Sequence, residues 1–246
     1  MSSFAIGAVM VQHAERWLDG VRVDDEVFAL QPDYTVVVIT VEGVVGGPSD
    51  AISERLLVAA EHAAGIQLAD ARPEELAHVA QWRDAFRSFG AKPQRTRPSV
   101  EALLRRVVDG LPRIDRITDA YNAVSIAHLL PIGGEDRDKY AGAARLARAD
   151  GTESFDIVKD GAPAVDHPEV GEVVWRDDAG VTCRRWNWRQ TERTRITKDT
   201  ENAVFILDAL GALGIDGVNT AADALQAALE LLSPGARFAR RTLSRG

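Results

Sequence analysis

The run YTVVVITVEGVV, residues 34–45, is apolar and β-branched almost without a break, the pattern of a strand buried on both faces. It stops at Gly46-Gly47-Pro48, where the glycines read as turn residues. Ser49 or Asp50 then caps a helix that uses Ile52, Leu56, Leu57 and Ala60. No Lys or Ser/Thr follows in P-loop spacing, and Asp50 would repel a phosphate. Far downstream, NAVFILDAL from Asn202 to Leu210 reads as a second buried strand on the strength of Val204, Phe205 and Ile206.

Between these runs the periodicity predicts helices. One spans Pro73 to Phe86, with Glu74 and Glu75 in its first turn complementing the dipole. A second runs from a Ser99 cap through Val107 and ends at Gly110. Pro112 opens a third, carrying Ile114, Ile117, Tyr121 and Val124 on one face and Thr118, Asn122 and Ser125 beside it. LPIGGED then reads as a tight glycine turn, after which the period falls to two. Ala144–Ala149 and Phe155–Val158 read as strands, with a hairpin at Asp160-Gly161. A second hairpin, at Asp177–Gly180, joins Val173–Arg176 to Val181–Trp186. Thr220 caps a last helix that runs to Leu232 before Pro234-Gly235, and a basic tail from Arg237 is expected to be solvated.

The composition, 46% hydrophobic and 27% charged over 246 residues, is that of a globular chain with ample core. The lone Cys183 excludes a disulfide framework and a cysteine zinc site, so a reducing cytoplasm is the expected setting. The five histidines (His13, His62, His78, His128 and His167) show no ligand spacing, so no metal is expected. Neither a nucleophile elbow nor a dinucleotide fingerprint occurs, and no cofactor is expected. No apolar run is long enough to span a membrane. The net charge of −8 is uneven: residues 1–80 hold 4 basic and 13 acidic side chains, so the rest is close to balanced and has room for a basic face.

Two stretches supply that face. CRRWNWRQTERTRITKDT, residues 183–200, interleaves Arg184, Arg185, Arg189 and Arg193 with Trp186 and Trp188. Guanidinium groups pair with phosphate and indoles stack on bases, so the pattern suits an anionic, base-bearing ligand. FRSFGAKPQRTRPS, residues 86–99, is a proline-broken loop with Arg87, Lys92, Arg95 and Arg97 and no carboxylate.

Those two stretches, extended as FRSFGAKPQRTRPSVEALLRR and CRRWNWRQTERTRITKDTENA, together with TDAYNAVSIAHLLPIGGEDRDK, resemble free-standing relatives of the tRNA-editing B3/4 domain of the bacterial phenylalanyl-tRNA synthetase β subunit. That domain hydrolyses tyrosine wrongly attached to the phenylalanine tRNA. The resemblance covers residues 85–210. It implies a single α+β domain over residues 1–236 with a central sheet or sandwich core flanked by helices, followed by the tail at 237–246. It also implies a tRNA acceptor end as partner and deacylation of mischarged tRNA in trans. Asn122 matches an asparagine of the editing pocket, Gly133 stands where the family has its editing histidine, and the pocket glutamate falls near Glu192.

The expected roles follow from this. Asn122, Glu192 and Thr194 serve the chemistry, while Ser125, Gly133, Gly134 and Asn187 hold the amino acid. Arg87, Lys92, Arg95, Arg97, Arg184, Arg185, Trp186, Trp188, Arg189 and Arg193 hold RNA. The alternatives are an RNA-binding module without turnover and a binder of amino-acid derivatives.

Overall fold

The computed structural model describes residues 15–245; His13 and the rest of 1–14 lie outside them. Three layers of an α+β fold are stacked on the strand that the apolar run forms. That strand, β2 (Thr35–Glu42), lies in a four-stranded antiparallel sheet. It pairs with β10 (Asn202–Ala209) over its full length, Phe205 opposite Ile39, and β3 (Ile132–Asp136) pairs with β10 on the far side.

Val37, Ile39 and Val41 face a helical layer made by α2 (Ala51–Gln67), α5 (Arg116–His128) and α6 (Gly214–Leu232). Val36 and Val38 face the other way, against Leu146, Val173 and Trp175 of a second sheet. That second sheet orders β1 (Arg22–Val23), β4 (Arg145–Arg148), β7 (Val173–Arg176), β8 (Val181–Arg184) and β9 (Arg189–Gln190). Only its β1–β4 pair is parallel. A separate hairpin, β5 (Phe155–Lys159) with β6 (Ala162–Asp166), turns at Asp160-Gly161 as expected. Further helices are α1 (Asp25–Leu30), α3 (Ala77–Ser88) and α4 (Ser99–Leu104).

Asp50 caps α2 by accepting from the Ile52 and Ser53 amides. Other expectations shift. The helix expected from Pro73 starts as a short 3-10 turn at Pro73–Glu75 before α3. Ser99 is the first residue of α4 rather than its cap. The helix expected from Pro112 begins at Arg116, because Asp115 binds the Ile117 and Thr118 amides and outcompetes the proline as a start signal. Thr220 lies inside α6, its hydroxyl donating to the Asp216 carbonyl.

LPIGGED is not a turn but β3. Its glycines serve close packing instead: a Cβ on Gly134 would sit 2.8 Å from the Tyr121 ring and 2.9 Å from Phe205. The basic tail is not a free end either: Arg237–Ser244 forms β11 along the outer edge of β2, with half of its residues still exposed. Its arginines are spoken for: Arg237 reaches Glu42 at 3.1 Å, and Arg241 donates to the carbonyls of Leu18, Asp19 and Val21.

Candidate functional site

The stretch from Cys183 folds back on itself. Residues 185–188, RWNW, are the turn of the β8–β9 hairpin, with Arg185 and Trp186 in left-handed backbone at φ 48° and 66°. Neither residue adopts that region readily, so the surroundings must hold it. They do so from three sides. The Trp186 amide donates to the Val173 carbonyl at 2.6 Å, and the Arg185 amide to Glu172 at 2.9 Å. The Asn187 carbonyl accepts from the Ser99 amide at 3.2 Å, tying the turn to the end of the basic loop.

This conformation sorts the aromatic and charged residues. Trp186 is fully buried against Tyr34, Trp82 and Phe89, with ring centroids at 5.0, 5.3 and 6.4 Å. It is core, not a platform for a base. Trp188 stays half-exposed with the Arg185 guanidinium 4.5 Å over its ring. Arg184 is buried and neutralised by Glu172 at 2.5 and 2.8 Å and by Asp166 at 3.0 Å, so no phosphate can reach it. Arg193 is likewise engaged by Asp177 at 2.8 and 2.9 Å.

The turn overhangs a cavity of about 220 Å3 between the second sheet, α4, α5 and the β3–β10 pair. Gly133, Glu135, Ile206 and Asp208 form the floor, all on one sheet face by register. Tyr121, Trp175, Trp186 and Trp188 contribute aromatic wall, and Asn122 and Asn187 face in from opposite sides. Each asparagine is only 7% exposed. Asn187 has no well-aligned hydrogen-bond partner for either amide atom, and Asn122 makes no side-chain hydrogen bond among the described residues. A buried amide without a well-aligned partner costs roughly 1–3 kcal/mol, so Asn187 in the cavity wall points to a ligand that would satisfy it.

The floor carries two acids. Asp208, 2% exposed, accepts from the Tyr34 hydroxyl at 2.6 Å. Burial pushes its carboxyl up to about 7, while Tyr34, Trp175 and Asn187 favour the ionised form without offsetting burial. Glu135, also 2% exposed, accepts from the Thr194 hydroxyl and is raised by burial to about 7 as well. Neither forms an ion pair among the described residues.

Of the expected site residues, Asn122, Gly133 and Asn187 line this cavity, with Trp186, Trp188 and Arg189. Gly133 leaves space that Gln190 uses: a Cβ there would meet the Gln190 amide nitrogen at 3.0 Å, and that nitrogen donates to the Gly134 carbonyl at 3.1 Å. Gly134 itself faces the helical layer. Ser125 is buried under its own helix end, donating to the Leu130 carbonyl at 2.6 Å. Thr194 reaches the cavity only through Glu135. Glu192 is displaced altogether: it is exposed, paired with Arg195 at 3.1 Å, and lies by the β5–β6 hairpin.

Beside the cavity mouth, Arg95, Arg97, Arg105 and Arg106 surround Trp188. Arg95, Arg106 and Arg189 are exposed and make no ion pair among the described residues. Lys92, Arg95 and Arg185 border a neighbouring hollow on the far side of the turn, whereas Arg87 is paired with Asp84. Arg105 and Arg106 are cations the sequence reading passed over because they continue a helix. Asp208 carries a signal in the sequence, a single acid inside an otherwise apolar strand, whereas Glu135, next to Asp136 in IGGED, carries none.

Fold and site together define an α+β domain with a half-open polar–aromatic cavity and an arginine-rich rim. The B3/4 domain family matches residues 81–230, well over half of the chain, and the chain belongs to that family. Its fold is similar to an N-terminal fragment of the phenylalanyl-tRNA synthetase β-subunit from Pyrococcus horikoshii, at 15% identity and a TM-score of 0.43. That likeness covers 89% of this chain, which spans about half (49%) of the fragment. No curated protein matches the chain.

Proposed function

We propose that the cavity receives the amino-acid end of an aminoacyl-tRNA, that the arginine rim holds its terminal phosphates, and that the ester is hydrolysed in trans. The observation that carries this reading is the cavity itself, into which Asn122, Asn187 and two buried acids open beside three arginines that make no ion pair among the described residues. Membership of the B3/4 family supports it. A covalent route has no support, since burial pushes the Cys183 thiol up and away from the thiolate form.

In this reading the asparagine amides orient the ester, and one of them donates to the oxygen that becomes negative as water adds. Donors of this kind are worth about 3–4 kcal/mol each. Glu135, raised to about 7, is divided between acid and carboxylate at neutral pH and suits proton transfer in both directions. Its carboxylate takes a proton from water as the water oxygen bonds to the carbonyl carbon. The same proton passes to the ribose oxygen as the ester C–O bond breaks. Trp188, with Arg185 above it, offers the terminal base a stacking face.

Lys92, Arg97 and Arg185 extend the basic surface, and Arg87 continues it more weakly. A salt titration of tRNA binding tests the rim. Affinity should fall steeply as salt rises, and Arg95→Ala or Arg106→Ala should each reduce the slope by roughly 0.7–1. Affinity that ignores salt would remove the phosphate contacts from the account. Asn122→Ala should lower turnover more than binding.

A further inference from the structure

The two acids of the cavity floor are not equivalent. Glu135 is served by the Thr194 hydroxyl and sits in the field of Arg193. Asp208 is served by Tyr34, Trp175 and Asn187, all uncharged, and has no cation among the described residues near enough to pair. Glu135 is in register with Val204, four residues before Asp208 on β10. At about 3.4 Å per residue and about 4.8 Å between strands, their backbones stand roughly 14 Å apart. One small cation therefore does not satisfy both.

The Asp208 end is walled by Trp175 and Trp186, with Tyr34 edge-on to Trp186 at 5.0 Å. Asn187, nine-tenths buried and without a well-aligned partner for either amide atom, faces the same end. A carboxylate set among indole and phenol rings is the chemistry that receives an ammonium or guanidinium group. The acid supplies the countercharge, and its attraction for a cation strengthens once water is excluded. An apolar side chain would leave the Asp208 carboxylate buried without a countercharge, which is how a charged site rejects a ligand that lacks the matching group.

Resting on the aminoacyl reading of this cavity, we propose that Asp208 is its specificity-determining residue and selects an amino acid whose side chain ends in a cationic nitrogen. The α-amino and ester groups are left to Asn122, Asn187 and Glu135.

Calorimetric titration of the full chain with L-lysinamide and with L-norleucinamide tests this without ester hydrolysis, since the two differ in the terminal ammonium. Lysinamide should bind at least about tenfold more tightly, and Asp208→Asn should abolish that gap. Equal affinities, tighter norleucinamide, a gap that survives Asp208→Asn, or no binding of either probe would each overturn the proposal. The wild-type comparison decides the matter even where the variant does not fold. A lysinamide preference without deacylation of any charged tRNA would leave the side-chain site standing and remove the tRNA reading. Deacylation without that preference would do the reverse.

Discussion

Asp208→Asn should make the free protein more stable at pH 8, and the gain should shrink as the pH is lowered toward 5. The carboxyl moves from an ordinary value of 3.8 to about 7 on folding because burial strips its water. The folded state thus holds this proton more tightly than the unfolded chain. The stability linked to it is fully present below about pH 4 and is lost as pH rises through about 7. Each unit is worth about 1.4 kcal/mol, so the wild type forgoes up to roughly 4 kcal/mol at pH 8. Asparagine keeps an oxygen for the Tyr34 hydroxyl and does not titrate. Urea unfolding of both proteins at pH 5 and pH 8 measures the difference. A variant less stable than wild type at both would contradict the assignment of Asp208 as a strained, ligand-directed acid. Active sites concentrate residues of this kind, which weaken the empty fold and act on what enters it.

Glu172→Ala should have the opposite sign and a larger visible effect. Glu172 is 2% exposed and binds Arg184, itself buried, through two hydrogen bonds while accepting the Arg185 amide. Removing it strands a guanidinium with only Asp166 and releases one of three ties on the left-handed turn. Breaking a buried pair on one side costs about 3–5 kcal/mol, or roughly 10 °C of Tm for a chain this long. Replacing both partners by methionine should recover most of the stability, because no charge is then left unpaired. It should not recover tRNA binding, since the turn would still lack its carboxylate tie. Full stability in the single variant would show that the pair does not hold the turn.

The apolar runs at 34–45 and 202–210 announced the sheet because residues 34–42 and 203–210 are all buried on one face or the other. The site was only half legible. Trp186 and Trp188 look interchangeable in sequence. They part because two left-handed residues break the strand's alternation, sending one ring into the core and leaving the other at the rim. Arg184 and Arg95 also look alike, yet the carboxylates that neutralise Arg184 arrive from residues 166 and 172 through long-range folding. In LPIGGED the local signal of two glycines says turn. The tertiary demand for space beneath Tyr121 and Gln190 makes the segment a strand. The C-terminal arginines looked solvated because edge pairing with β2 leaves no local mark. Glu192 drew the catalytic role from the family resemblance, whereas the acids in the cavity are Glu135 and Asp208, contributed by the β3–β10 pair.

Under the proposed function, this cavity binds and cleaves an aminoacyl ester carried on tRNA. Incubating the protein with a panel of tRNAs, each charged with a different labelled amino acid, and following label release tests it most directly. At least one charged tRNA should be deacylated well above the buffer rate. Asn187→Ala should slow that reaction about 100-fold or more, the range seen when a transition-state donor is lost. No release above buffer across the whole panel would contradict the account.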